Sequence, residues 1–342
     1  MSVHAFGVME GRAVDEIRLR SPAGARASIL TWGAILHDLV VPLATGATRR
    51  VVLGYEGLEG YAADPYYMGA TVGRFANRIA DGRFELDGTQ YALPVNGAGH
   101  VHLHGGPKGF SRQHWHLIEH DEASVLLMLV SGSGDQGYPG RVETFCHYAL
   151  IAPATLRITM TARTDVPTIV SMTNHSYFTL KEDADGRSHR LQVNADFYTP
   201  LHDNLIPTGE IRSVAGTQYD FRTPKPIAEG CADSDNSFLI NAGHAANVMA
   251  ARLISPGNDL QLQVTTNEPN LLFYTGAGLA PTVPGLGGQK HFPFAGVCLE
   301  AQRIPDTPNR RHFGSAVLRP GEVYCNISEY SFATPAEPRR GE

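Results

Sequence analysis

The stretch Leu156-Arg157-Ile158-Thr159-Met160-Thr161 alternates apolar and polar side chains without interruption. Successive side chains of an extended chain point to opposite faces. A period of two therefore sets one apolar face against a partner sheet and one polar face outward or into a cleft. The pattern returns in Leu260-Gln261-Leu262-Gln263-Val264 and in Val323-Tyr324-Cys325-Asn326-Ile327-Ser328. Working outward, shorter strand-favouring runs occupy residues 26–41 and 50–53. Phe84-Glu85-Leu86 and Gln90-Tyr91-Ala92-Leu93 flank Asp87-Gly88-Thr89. That is a hairpin signal, because the glycine accepts the positive φ of a tight turn. Helical signals are scarce, and residues 66–80 hold the best, with one short turn expected at 74–79. Many short strands punctuated by Gly, Pro, Asn and Asp imply an all-β chain, a sandwich or a barrel. No shift in composition, linker or internal repeat marks a boundary. The expectation is a single domain over 1–342 with loose tails at about 1–9 and 335–342.

Composition narrows the function classes. The chain has 342 residues, 42% of them hydrophobic and 18% charged, with a formal net charge of -6. That balance is ordinary for a folded globular protein. Mild acidity argues against nucleic acid and anionic membranes as partners, since both demand a concentrated basic patch. No apolar run is long enough to span a bilayer, and residues 1–11 lack a signal-peptide pattern, so a cytoplasmic location is expected. Cys146, Cys231, Cys298 and Cys325 lie far apart. Their spacing indicates neither a zinc knuckle nor a disulfide framework, and Cys146, Cys298 and Cys325 read as buried, inert thiols.

Five clusters place polar groups where their surroundings predict burial. Gly73-Arg74-Phe75-Ala76-Asn77-Arg78-Ile79-Ala80 carries two arginines that share a face whether the segment is helical or extended. Each offers five donors in a fixed fork, suited to sugar hydroxyls, to a carboxylate or to a structural ion pair. His100-Val101-His102-Leu103-His104-Gly105-Gly106 has period-two histidines, which also occur in metal sites, although no carboxylate or cysteine stands nearby at ligand spacing. The glycines after His104 suggest room for backbone beside a ligand. In Val170-Ser171-Met172-Thr173-Asn174-His175-Ser176-Tyr177-Phe178-Thr179-Leu180, one histidine sits among amide, hydroxyl and phenol groups. Taken alone it is either a satisfied core histidine or an acid. Asp235 precedes an apolar run, as a turn residue or a ligand would. Glu300, in Gly296-Val297-Cys298-Leu299-Glu300-Ala301-Gln302, interrupts a strand whose flanks look buried. A buried carboxylate is costly, so it needs a partner or a raised pKa, and either suits a general base.

At these residues the sequence resembles the aldose 1-epimerase family, the galactose mutarotases. The resemblance rests on residues 73–80, Leu103-His104-Gly105-Gly106, Thr173-Asn174-His175-Ser176-Tyr177-Phe178, Leu205-Ile206-Pro207-Thr208-Gly209, residues 235–238, Phe273-Tyr274-Thr275-Gly276 and Leu299-Glu300-Ala301-Gln302, in that order. It implies a large antiparallel β-sandwich of the galactose mutarotase-like supersandwich type. It further implies an isomerase of carbohydrate metabolism that exchanges the α and β anomers of free aldohexoses such as galactose and glucose. Carried over, Glu300 resembles the general base and His175 the general acid. Arg78, His104 and Asp235 resemble the substrate-binding residues, with Asn77 beside the arginine as a further ligand. No metal or other cofactor is implied, and a monomer or homodimer is expected. Thr179 departs from the family, which more often has asparagine there, and the change is expected to touch packing rather than chemistry.

Anomer exchange needs one proton to leave the C1 hydroxyl and another to reach the ring oxygen. The expectation is an ionised Glu300 and a charged His175 at the outset, with Asn174, Ser176 and Tyr177 orienting the imidazole. The alternatives are a glycosidase using Asp235 and Glu300 as a carboxylate pair, a phosphosugar epimerase, or a silent carbohydrate-binding protein. A phosphosugar enzyme needs a phosphate cradle, which the sequence does not display. A silent binder would lack the acid or the base, and both are present.

Overall fold

The computed structural model describes residues 2–182, 184–231, 233–241 and 247–335. Its largest sheet has nine strands in the order His116–His120, Ser124–Ser131, Val142–Ile151, Thr155–Thr164, Tyr324–Ala333, Gln261–Thr266, Val248–Ile254, Arg190–Val193 and Lys225–Pro226. All neighbours in it are antiparallel. A second sheet of six runs Tyr177–Phe178, Val297–Gln302, Asn270–Tyr274, Asp235–Leu239, Phe197–Thr199 and Arg212–Ser213. The third is a five-stranded meander from Ser2–Met9 to Thr48–Arg50.

Alternation explains how the layers meet. In Val142–Ile151, Val142, Thr144, Cys146, Tyr148 and Leu150 are buried and the residues between them only partly so. Cys146 pairs with Met160 and Tyr148 with Ile158, which aligns the apolar faces of adjacent strands. A single core cluster then joins Leu127 and Ile158 of the nine-stranded sheet, Phe273 and Leu299 of the six-stranded sheet, and Leu19 and Ile29 of the meander. The molecule is an antiparallel β-sandwich. Val297–Gln302 is buried on both faces. Val297, Leu299 and Ala301 face this core, so Cys298, Glu300 and Gln302 project from the opposite side.

Several expectations hold locally. Arg83–Leu86 pairs with Thr89–Ala92, and the turn places Asp87 at φ 50° and Gly88 at φ 78°, both positive as a two-residue hairpin turn requires. Others fail for identifiable reasons. Residues 2–9, expected to be loose, form a strand paired with Arg12–Arg20, and Phe6 packs against a second apolar cluster around Tyr55 and Tyr61. At the other end, residues 336–342 of the expected loose tail lie outside the described residues.

Residues 74–79 make no helical turn. The chain runs irregularly there, with Asn77 at φ 63°, because its backbone bonds are taken by neighbours: Ala76 donates to the Ser171 carbonyl, Ser171 to that of Arg74, and His104 to that of Asn77. Tertiary pairing overrides the local signal. The short helix lies instead at Leu58–Ala63.

Tyr324–Ala333 inverts the face that its alternation suggested. Tyr324, Asn326 and Ser328 point inward, while Val323 is 50% exposed and Cys325 and Ile327 are only partly covered. The inward amides and hydroxyls have work there: Asn326 Nδ2 donates to the carbonyls of Met172 and Ala301, each at 2.9 Å, and Ser328 donates to Asn326 Oδ1. Satisfied polar groups can occupy a core at little cost.

Candidate active site

Two minor strand pairs bring distant segments to the outer face of the six-stranded sheet. Arg78–Ala80 pairs with Val101–Leu103, which sets His104 beside Asn77, and Thr71–Val72 pairs with Thr173–Asn174, which delivers His175. Together with Val297–Gln302 and Asp235–Leu239 they enclose a cleft of about 320 Å³. Its walls include Asn77, Arg78, His104, His175, Asp235 and Glu300, so all six residues singled out from the sequence converge on one cavity.

Glu300 forms the floor. The residue is fully buried, and neither carboxyl oxygen has a hydrogen-bond partner among the described residues. Burial pushes its pKa well above the ordinary carboxyl range, nearby Asp235 adds to the push, and Arg78 opposes it. His175 Nε2 lies 3.8 Å from Glu300 Oε1. Burial drives the imidazole down to about 4. Burial thus opposes the charged starting state expected of each group. One proton on the pair can nevertheless sit on either member. Glutamic acid with imidazole and glutamate with imidazolium hold the same number of protons, so the pair titrates as a unit.

The remaining polar groups are held from behind. Arg78 Nη1 meets Asp235 Oδ2 at 3.0 Å, and both side chains are mostly buried. Asn77, with a positive φ of 63°, accepts the Arg78 backbone N–H and guanidinium on its Oδ1 at 2.9 and 3.3 Å. Its own backbone N–H donates to His104 Nδ1 at 3.2 Å. Burial holds His104 neutral. With Nδ1 accepting, the proton resides on Nε2, leaving a single donor for a ligand. Because Asp235 is tied to Arg78, the paired free carboxyls of a glycosidase are not assembled.

Arg74 does not share the site. Its guanidinium runs inward and donates to Ser131 Oγ and to the carbonyls of Gly132 and Pro139 at 2.7–2.9 Å, a structural role. The three histidines of the 100–104 stretch also diverge. His102 is buried between the Pro94 carbonyl and the Tyr138 hydroxyl, both at 2.7 Å, and only His104 reaches the cleft. The glycines after His104 serve chain packing rather than a ligand. A Cβ on Gly105 would collide with the Gly73 carbonyl, and one on Gly106 with His102 and Gln136.

The hydrogen bonds of the residues flanking His175 go to other partners and not to its ring. Asn174 donates to the Gly69 carbonyl, Ser176 to Asn174, and Tyr177 to the Tyr66 carbonyl. The imidazole is met instead by Cys298, whose Sγ lies 3.5 Å from Nδ1, and by the rings of Tyr67, His104 and Tyr177. Sequence reasoning had set Cys298 aside as an inert thiol. The available signal was its position two residues before Glu300, on the same face of one strand. Tyr67 and Tyr274 also line the cleft; Tyr274 belongs to a stretch that carries the resemblance, but neither was assigned a role. Thr179 lies outside the cleft lining, where its hydroxyl donates to the Lys181 carbonyl at 2.8 Å.

Comparison with known proteins identifies the family. The aldose 1-epimerase family model matches residues 15–331. The chain is 38% identical to the aldose 1-epimerase of Escherichia coli K12 over 336 residues, covering 94% of this chain and 96% of that one. It is 35% identical to the galactose mutarotase of Homo sapiens over 332 residues, covering 94% and 95%. An aldose epimerase homologue from C. elegans superposes with a TM-score of 0.89 at 31% identity, over 94% of this chain and 99% of its own. A galactose 1-epimerase from Lactobacillus acidophilus superposes with a TM-score of 0.83 at 28% identity, over 97% and 98%. By sequence, by sandwich architecture and by full-length coverage, this chain belongs to the aldose 1-epimerase family.

Proposed function

We propose that the protein interconverts the α and β anomers of free aldohexoses such as galactose and glucose, with Glu300 as general base and His175 as general acid. The observation that carries the assignment of roles is the unpartnered Glu300 carboxyl, buried 3.8 Å from His175 on the floor of a sugar-sized cleft. Family membership supports the reaction class.

The sugar lies between the two groups. Its polar hydroxyls favour the charged arrangement of the pair, glutamate with imidazolium, with the field of Arg78 favouring the glutamate and that of Asp235 the imidazolium. Glu300 removes the C1 hydroxyl proton while His175 delivers its proton to the ring oxygen. The bond between C1 and the ring oxygen breaks, giving the open aldehyde. Rotation about C1–C2 presents the other face of the carbonyl. On closure the roles reverse: His175 takes the proton back from the attacking hydroxyl and Glu300 returns one to the C1 oxygen. The count balances without an external donor. Arg78, Asn77, His104 and Asp235 fix the remaining hydroxyls, with His104 Nε2 as donor and the Asp235 carboxylate as acceptor.

Polarimetry of freshly dissolved α-galactose and α-glucose tests the reading. A large acceleration over buffer is expected, and rotation that drifts at the buffer rate for both sugars would overturn it. Extending the series to xylose and arabinose identifies which hydroxyls the cleft requires.

A further inference from the structure

His175, Cys298 and Glu300 form a cluster in which one donor atom from each side chain lies within 4.8 Å of the other two. The measured separations are 3.5 Å from His175 Nδ1 to Cys298 Sγ and 3.8 Å from His175 Nε2 to Glu300 Oε1. In a tetrahedral zinc site, ligand bonds of about 2.0–2.3 Å place nitrogen and sulfur about 3.5 Å apart along an edge. The two short separations use different imidazole nitrogens, and a cation takes only one of them, so the three ligand atoms as they stand span up to 4.8 Å and about one ångström of contraction closes the shell.

The donor set is selective. One thiol, one imidazole and one carboxyl suit borderline and thiophilic divalent cations and not magnesium or calcium, which prefer oxygen alone. Both Glu300 oxygens lack a protein partner, so they are free to ligate. All three residues are buried, and His175 and Glu300 line the cleft. Three protein ligands beneath a cavity leave a fourth position for water or a sugar hydroxyl.

We infer that the acid–base pair, together with Cys298, is a binding site for a thiophilic divalent cation such as Zn²⁺ or Cd²⁺, and that the bound cation inhibits the enzyme. Inhibition follows from occupancy, since the metal takes the lone pairs that His175 and Glu300 need for proton transfer. Binding expels the thiol proton as the metal–thiolate bond forms, together with the proton shared by Glu300 and His175, so protons appear in solution and no redox step occurs. Metal and sugar compete for the same floor. The seating of a metal does not depend on the proposed sugar chemistry, and the two can be tested separately.

Titration of the purified full chain with Co²⁺ reads the site directly, because a cobalt–thiolate bond gives a ligand-to-metal charge-transfer band and tetrahedral cobalt gives strong visible absorption. Both signals are expected in the wild type, lost in Cys298→Ala, and displaced by excess galactose. In parallel, Zn²⁺ should slow mutarotation of the wild type reversibly, with recovery on adding a chelator. Relative to its own metal-free rate, Cys298→Ala should need about tenfold or more Zn²⁺ for the same fractional loss. Cys298→Ser, which keeps a small polar side chain, serves where the alanine variant fails to fold. No thiolate band in the wild type, or an equal band in the folded Cys298 variant, would overturn the inference. A cobalt band in a protein that does not accelerate mutarotation would overturn the proposed function and leave the metal site standing.

Discussion

Glu268 and Glu300 are two glutamates buried in the same sandwich, and their surroundings differ in one respect. Glu268 is 2% exposed, receives the Tyr324 hydroxyl on Oε1 at 3.1 Å, and faces Arg303 Nη1 at 3.3 Å. Glu300 is as deeply buried, yet no protein donor reaches it, and its nearest charged neighbour by effect is another carboxylate, Asp235. Burial raises both pKa values above the ordinary range. For Glu268 the cation and the phenol work against that rise. For Glu300 Asp235 adds to it and only Arg78 opposes. A compensated buried carboxylate ties the fold together, whereas an uncompensated one is kept at a cost to stability and marks chemistry.

The sharpest break of this comparison is Glu300→Gln. Mutarotation is expected to fall about 10²–10⁴-fold in kcat, measured by polarimetry, since a positioned base is worth that much. The same variant should melt higher than the wild type at neutral and alkaline pH. A group whose folded pKa is raised contributes its stability below its unfolded value, near 4.5, and loses it as pH climbs through the raised folded value. Glutamine cannot ionise, so the gain should vanish in acid. A lower melting temperature at all pH values would refute the uncompensated state of Glu300.

His175→Asn comes next, with a kcat loss of the same order, about 10²–10⁴-fold. Its sign with pH is opposite. The folded imidazole is depressed to about 4, so its contribution to stability is present above its ordinary 6.5 and is lost as pH falls through 4. Because the two groups act as one unit, the double variant Glu300→Gln/His175→Asn should be scarcely slower than either single variant. Losses that multiply would show two independent groups.

Glu268→Gln should leave kcat close to the wild type but destabilise the fold by about 3 kcal/mol, the low end for breaking a buried ion pair. Polarimetry checks the first quantity and chemical denaturation the second. A collapse of kcat with unchanged stability would reverse the assignment of the two glutamates. The smallest effect is expected for Arg78→Ala. Removing the partner of Asp235 should raise KM about 10–100-fold, equivalent to roughly 1.5–3 kcal/mol of charged hydrogen bonding, with a lesser change in kcat. An unchanged KM would remove Arg78 from sugar binding.

How much of this was legible beforehand depended on the kind of signal. Glu300 was visible because a charge breaking an apolar run has few benign explanations. His175 was not decisive by itself, and only its place among the other family residues singled it out. Glu268 gave no cue, since it stands at a strand end where a surface glutamate is ordinary. Cys298 is buried as its apolar context suggested, but that context could not show that its thiol lies beside an imidazole. Arg74 and Arg78 were inseparable in one dimension, yet one anchors Ser131, Gly132 and Pro139 while the other meets Asp235.

Apart from the cleft residues reached through the family resemblance, the amino-acid sequence by itself determined the period of the strands, the turn at Asp87-Gly88 and the need of Glu300 for a partner or a raised pKa. These follow from local sterics, from φ preferences and from the cost of burying charge, all of which act along the chain. Only the tertiary structure decided which face of each strand turns inward. Alternation defines two faces and ranks neither, as Tyr324, Asn326 and Ser328 demonstrate by entering the core in place of Val323 and Ile327. The structure also decided the protonation preference of the Glu300–His175 pair, because desolvation and the fields of Asp235 and Arg78 exist only once strands distant in sequence are packed together.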